Sequence, residues 1–491
     1  MNELRRHLLR VGAAMMGTAA LPARVRANDD GAIAGAWQGA LALPQGGEAA
    51  MALAIARVAN GALLVRLTIP AMHAFDAPIA EVDALGAGRY RLDPFGTVGH
   101  LNGDRLHGRF AYVGVPFELR RVPTLPAWSD TPETPLPEPP PLAWTRSLGA
   151  GAWASPVARD GIAYLGDVAG TVHALRMRDG AVVWTHRHEV PIYGDAAVDA
   201  AGVTFVDEQS TLVRLDRRTG VPRWRIDLDA AAPPGAPADF TYTHRTPVPV
   251  LAGGTLYVGG RDASVRAIDA ASGRVLWRSA VGGAVMSGIT VAGPLLVAGT
   301  FAHDAVIALD RRDGRVVWAA PTAQPVSSAP VVAGAVVLAG CRDFAIHGLD
   351  LDSGAPRWLQ SYIFSWVESS PALVGTVAYF GSSDLRSVRA VDCATGHTRY
   401  TTDVRGLAWG RPAHVGNRLY VGTAGQKDVL VAHRPGLCAL DRTTGALLWR
   451  REFPMGDAKT AGFVASLCHD GQTVVGAAVD GAVCAVRVAA G

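Results

Sequence analysis

Short runs of alternating apolar and polar residues open the chain. Trp37-Gln38-Gly39-Ala40-Leu41-Ala42-Leu43-Pro44 alternates as a half-buried strand does. Met51–Ala56, Leu63–Ile69, Ile79–Val82, Arg89–Leu92, Arg105–Ala111 and Phe117–Val122 follow, separated by Gly, Pro and Asp turns. About seven short strands in this spacing predict a small β-barrel or sandwich over residues 31–122. Eight prolines then fall within residues 123–141. Proline cannot donate to a sheet ladder, so this stretch is expected to be an extended, semi-rigid linker.

From residue 142 the pattern repeats. A frame A-x-D-x-x-T-G-x-x-x-W recurs at Ala174–Trp184, Arg214–Trp224, Ala267–Trp277, Ala308–Trp318, Gly348–Trp358, Ala390–Tyr400 and Ala439–Trp449. Its aromatic residues are spaced by 40, 53, 41, 40, 42 and 49 positions, the length of one four-stranded propeller blade. Each position has a physical reason. The Asp starts a turn and bonds its own backbone. The Gly supplies a positive φ. The aromatic ring, on an outer strand, can dock between neighbouring blades. Ahead of each frame lie an inner strand, a turn and a second strand, as in Ala329–Gly340. An eighth frame is split: Gly481–Val488 lacks its aromatic, and Trp144 lacks its frame. Joined, they complete an eight-bladed ring over residues 142–491, an all-β fold without a long open edge. The docking aromatics are then Trp144, Trp184, Trp224, Trp277, Trp318, Trp358, Tyr400 and Trp449.

These frames closely resemble the PQQ-like, or quinoprotein-dehydrogenase-like, β-propeller. The resemblance implies one of two kinds of protein: a PQQ-dependent alcohol or sugar dehydrogenase, or a non-enzymatic propeller of the BamB type that serves outer-membrane barrel assembly. The N-terminal Trp37–Leu41 segment is also similar to small W-x-G-x-L β domains fused to some secreted hydrolases. That likeness carries no catalytic residue.

The first 27 residues change the reading of charge and compartment. Arg5-Arg6-His7-Leu8-Leu9-Arg10 precedes an apolar run, Val11–Leu21, and Val25-Arg26-Ala27 fits a small-x-Ala cleavage site. This reads as an export signal, with paired arginines resembling the twin-arginine type. The run is too short to cross a bilayer. A soluble periplasmic protein is the expectation. The whole chain carries a net charge of +3, and removing residues 1–27 leaves 41 basic and 42 acidic residues. A nearly neutral chain without basic clusters argues against nucleic acid as partner. Five scattered cysteines, Cys341, Cys393, Cys438, Cys468 and Cys484, form no C-x-x-C and read as buried small apolar residues.

Repeat register locates a candidate site. Counting back from Pro156, Ala197, Pro249, Ile289, Pro330, Pro371, Pro412 and Ser466, positions one, three and five residues earlier would share the channel face of an alternating inner strand. Most are small. The exceptions are Trp153, His244, Trp366, Glu368, Trp409 and Arg411, which would form an aromatic mouth with one carboxylate and one guanidinium. Such a mouth suits a flat anionic ligand. Alternatively, Glu368 and Arg411 pair across neighbouring blades and the tryptophans plug the channel. Two insertions, Ala230–Tyr242 and Thr423–Pro435, fall on the same face, where loops carry binding functions. Lys427 and Lys459 lie in the same two kinds of connection.

The enzyme reading requires PQQ with calcium held by carboxylate and amide oxygens. After the leader the asparagines are Asn28, Asn60, Asn102 and Asn417. None is placed to join Glu368. Asp195 lies near the mouth, in the register that points away. No C-x-x-C-H haem site, zinc-protease, nucleophile-elbow, P-loop or EF-hand motif is present, and His186-Arg187-His188-Glu189 reads as a solvated edge. The residues therefore predict a binding or scaffolding propeller with no catalytic residue, no metal site and no resident cofactor, engaging a periplasmic or outer-membrane protein. A PQQ–calcium dehydrogenase is the second reading, and a small-ligand sensor the third.

Overall fold

The computed structural model describes residues 32–42, 47–58, 61–92, 97–110, 114–129, 133–228, 246–362, 365–427 and 431–488. Residues 1–27, expected to be an export signal, and the Ala230–Tyr242 insertion lie outside these residues. The chain divides into two compact units, Met1–Pro135 with Asp428–Ala432, and Leu136–Lys427 with His433–Gly491. Among the described residues of 123–141 no strand begins before Leu142.

The first unit is one antiparallel sheet of nine strands. They are β1 (Gly35–Ala42), β2 (Glu48–Arg57), β3 (Leu63–Ile69), β4 (Ala74–Glu81), β5 (Asp83–Gly86), β6 (Arg89–Arg91), β7 (Val98–Asn102), β8 (Arg105–Arg109) and β9 (Pro116–Val122). Their order is β4-β3-β2-β1-β9-β8-β7-β6-β5. The two edge strands, β4 and β5, are separated in the chain by Val82 alone, so the sheet curls until its edges lie near one another. Alternation works as the sequence suggests: Leu63, Val65, Leu67 and Ile69 are buried while Leu64, Arg66 and Thr68 are partly exposed. Trp37 and Leu41 are fully buried, and the Trp37 indole donates to the Ile33 carbonyl at 2.9 Å. Arg121 lies 4.2 Å above the Trp37 ring. Gly39, between them, packs against β9 so closely that a methyl group there would come within 2.0 Å of the Glu118 carbonyl oxygen.

Seven strands are expected here and nine are found. Val98–Asn102 has no apolar alternation. It is held by pairing with β8 through a tight turn at Gly103-Asp104, with Gly103 at φ 61°. The short β5 continues β4 past its bend.

The second unit is an eight-bladed β-propeller. Six blades are four-stranded antiparallel sheets in simple chain order, spanning Val157–Arg187, Ala197–Asp227, Val250–Ala280, Thr290–Pro321, Val331–Ser361 and Ala372–Asp403, and the seventh, Ala413–Glu452, has the same four strands with Thr460–Gly462 added as a fifth. The eighth joins Cys468–His469, Thr473–Ala477 and Ala482–Arg487 to the early strand Leu142–Ser147. Trp144 pairs with Ala485, so the split frame is completed by residues from both ends of the unit.

The frame's grammar has a structural cause. Its first residue lies opposite its aromatic, as Ala308 opposes Trp318, and a bulge follows at once in every copy. The Trp318 indole donates to the Leu351 carbonyl of the next blade at 2.9 Å. Its ring lies on the next blade's turn glycine, Gly354, whose φ is 72° and where a methyl group would come within 2.6 Å of the ring. Trp144, Trp184, Trp224, Trp277 and Trp358 repeat this contact on Gly180, Gly220, Gly273, Gly314 and Gly396. Tyr400 does so on Gly445, donating its hydroxyl to Arg442 at 2.8 Å. The glycine thus meets two demands at once: it turns the chain and makes room for a ring.

The frame aspartates cap these turns. Asp350 accepts the Ser353 amide and hydroxyl, and Arg357 lies 2.6 Å away. Arg357 and Ser353 hold its carboxyl near pKa 2. All five cysteines are buried and free.

Candidate functional site at the channel mouth

The inner strands are short, only two or three residues, and begin at Val157, Ala197, Val250, Thr290, Val331, Ala372, Ala413 and Cys468. The positions one to five residues before the references therefore lie mostly on the segments entering these strands. Strict alternation does not apply there. Phe463, assigned by register to the channel, is instead 2% exposed and packs against Phe453 and Leu467 between blades.

The entry segments form a ring around the axis. Ser466 donates its amide to Ser155 Oγ at 3.0 Å, and Arg411 donates its amide to Ser466 Oγ at 3.0 Å. Ser369 Oγ donates to the Gly410 carbonyl at 3.1 Å, and Ala329 donates to Ser370 Oγ at 2.9 Å. Thr290 reaches the Pro330 carbonyl, Val248 bridges Gly288, and Gly194 packs against Thr246. Asp195 accepts the Ser155 amide at 2.7 Å and completes the circuit. Neighbouring blades are thus tied to one another at the mouth as well as at the rim.

Six residues are candidates by sequence. His244 lies outside the described residues. Trp153, Trp366 and Trp409 are half-buried on entry segments of blades one, six and seven. Arg411 is solvent-accessible, yet the surrounding protein desolvates its guanidinium and lowers its pKa, with the Asp195 charge opposing that shift. Wetting and desolvation coexist where a side chain stands in a narrow channel. The carboxylate facing Arg411 is therefore Asp195, from the register expected to point away.

Glu368 has no side-chain exposure, and its carboxylate takes the Arg342 Nε–H. Arg342 also lies 5.1 Å over the Trp366 ring and 5.7 Å over Phe301. The structure thus brings Trp366 and Glu368 together through Arg342 of the preceding blade. Beside them, burial raises the Asp384 carboxyl; the Ser383 hydroxyl opposes the shift, and the nearby Glu368 charge adds to it. Further along, His433 is 5% exposed, and burial pulls its pKa down to about 4.

Register from the inner strand alone misses Arg342. A second register finds it. In five blades, two residues after Gly166, Gly340, Gly381, Gly422 and Ala477 of the second strands, an amide donates to the entry segment of its own blade: Val168 to Gly151, Arg342 to Pro325, Ser383 to Trp366, Ala424 to Leu407 and Val479 to Gly462. These hairpin ends line the same face, and Arg261, Phe301 and Arg342 are their large members. The Thr423–Pro435 insertion builds on one of them. Its strand, Arg418–Gln426, runs on to pair with Thr460–Gly462.

A ring of eight PQQ-like blades, closed through a split blade and carrying an aromatic and cationic mouth, defines the class of this protein. Residues 127–261, 237–365 and 384–491 match the family described as outer membrane protein assembly factor BamB, and the chain belongs to that family. It is 27% identical over 163 residues to the outer membrane protein assembly factor BamB of Legionella pneumophila (strain Paris), covering 31% of this chain and 39% of that protein. In fold it is similar to BamB from Moraxella catarrhalis, with a TM-score of 0.55 at 17% identity over 72% of this chain and 98% of that one. It is also similar in fold to quinohemoprotein alcohol dehydrogenase from Comamonas testosteroni, with a TM-score of 0.54 at 16% identity over 70% and 76% of the two chains. Among the described residues, no helix is long and apolar enough to cross a membrane.

Proposed function

We propose that this chain is an exported, non-enzymatic propeller that holds a protein partner of the cell envelope at its channel mouth. Family membership supports the architecture of this reading. The observation that carries it is the Arg342–Glu368 pair. The dehydrogenase reading assigns Glu368 to calcium, but a guanidinium already engages that carboxylate and would repel a second cation. Glu368 instead anchors Arg342 against the Trp366 ring. Half-buried tryptophans and desolvated arginines are the side chains that dominate protein recognition.

The test has two arms. A photo-crosslinking residue replaces Trp409 or, as a control, exposed Leu359 on the outer rim. Recovery of one defined envelope protein from the mouth position alone is expected, and equal recovery from both positions would remove the proposal. In parallel, protein incubated with PQQ and Ca²⁺ is expected to reduce no dye with alcohols or sugars. Stoichiometric quinone uptake with turnover would establish the dehydrogenase instead.

A further inference from the structure

Blade five ends its second strand, Val336–Cys341, in a three-residue hairpin before its third strand, Ala345–Asp350. Phe344 turns this hairpin at φ 64°. The turn folds Cys341, Asp343 and His347 onto one another. Among the described residues, theirs is the one place where three metal-ligating side chains bring their donor atoms within 4.8 Å of each other.

Blades one and two provide internal controls. His173 Nε2 lies 2.8 Å from Asp167 Oδ2, and His188 Nε2 lies 2.8 Å from Asp207 Oδ2. In both, the second carboxylate oxygen is used by the turn. Asp167 Oδ1 accepts the Ala169 and Thr171 amides, and Asp207 Oδ1 accepts the Thr211 amide. Blade five has the same acid–imidazole pair, His347 Nε2 to Asp343 Oδ2 at 2.8 Å. There, however, Asp343 Oδ1 is sealed from solvent and takes no turn amide, and the donor next to this carboxylate is the Cys341 thiol. Cys341 takes the place that Asp167, Thr300, Ser382 and Thr423 take in other blades. A thiol is a weak donor, so this buried carboxylate oxygen is less well satisfied than its counterparts in blades one and two.

We propose that Cys341, Asp343 and His347 form a binding site for a divalent transition metal of the zinc or cobalt type. One sulfur, one nitrogen and one carboxylate oxygen are the donor set of such ions, whereas calcium and magnesium prefer all-oxygen sites. Binding replaces the Cys341 S–H bond by a metal–thiolate bond and releases that proton to solvent. His347 ligates through the Nε2 lone pair as the neutral imidazole, so a proton carried on Nε2 moves to Nδ1 when the ion binds. Three protein ligands leave a fourth position for water or a substrate group. Arg342, between two of these ligands in sequence, reaches Glu368 at the mouth, so an ion here would also fix the hairpin that carries it.

The test uses the whole folded chain, stripped with chelator and titrated with Co²⁺. One equivalent should give a near-ultraviolet thiolate-to-cobalt band that Zn²⁺ bleaches by displacement. Cys341→Ser should abolish the band although four other thiols remain. Asp343→Asn and His347→Gln should each weaken binding by about tenfold or more, while His173→Gln leaves it unchanged. Circular dichroism of each metal-free variant separates lost ligation from lost fold. The proposal is overturned if the unmodified chain gives no band at millimolar Co²⁺. It is equally overturned if the band survives Cys341→Ser, or if His173→Gln weakens it as much as His347→Gln does. None of these outcomes bears on whether a protein docks at the mouth.

Discussion

Around the outer rim, six tryptophan indoles donate to carbonyls of the next blade over 2.7–3.3 Å, and each ring rests on a turn glycine. Around the channel mouth, the eight entry segments also touch their neighbours, but the joints use several chemistries. A serine hydroxyl accepts an amide at three joints, Asp195 caps another, and a bare backbone bridge makes a fifth. The rim repeats one solution because every blade there faces the same packing problem. The mouth varies because closure asks only that some polar partner be present. Side chains such as Trp366 and Arg411 can therefore be placed there without disturbing the ring.

If the rim joints are equivalent, removing any one ring should cost about the same. Trp318→Ala is expected to lose roughly 3–5 kcal/mol, and Trp184→Ala, equally buried at 8% exposure, should match it within about 1 kcal/mol by urea unfolding. A much larger gap would break the equivalence. At the mouth, Arg342→Ala strands a buried carboxylate and should cost about 3 kcal/mol. Arg342→Met with Glu368→Met should recover most of that, which no pair of rim substitutions would do.

Acid should act on the mouth and spare the rim. His433 is held neutral by burial, with its pKa near 4 in the folded chain against an ordinary value near 6.5. The unfolded chain therefore binds the extra proton between those values. The stability His433 confers is complete above about pH 6.5 and is lost as pH falls toward 4, by on the order of 2–3 kcal/mol. His433→Leu should flatten that part of the pH–stability curve. Asp310, held near pKa 2 by Arg312, keeps its charge throughout this window. The smallest effect expected is about 1 kcal/mol for Ser466→Ala, which removes one hydroxyl acceptor from the mouth ring.

The same contrast explains what the sequence made readable. Each frame position answers a strict local demand, so Asp441, Gly445 and Trp449 can be recognised one by one and the eight blades counted. The split blade follows because Trp144 and Ala485 are the two missing halves of one frame. In the first unit, β7 escapes notice because Val98–Asn102 is held by its neighbours rather than by its own alternation. At the mouth, Trp366 and Glu368 could be placed from repeat register, yet their partner Arg342 belongs to another blade and to a hairpin end. The reach of a long side chain across a blade boundary leaves no periodic trace. Asp195 was assigned away from the channel because the entry segment is irregular, where alternation has no force.

The strand Leu142–Ser147 has one more consequence, for the order of assembly. Its partner Ala482–Arg487 lies roughly 340 residues further along the chain, and loop closure over that length is entropically costly and slow. Seven blades can form while this contact is still absent. Until the last strand arrives, the first one has no sheet to join, and the ring keeps an unpaired edge open to proteases and to other chains. A truncated copy could not hide that edge. Closure of the eighth blade thus reports that the propeller region is complete, and resistance to proteolysis should appear at that step and no earlier.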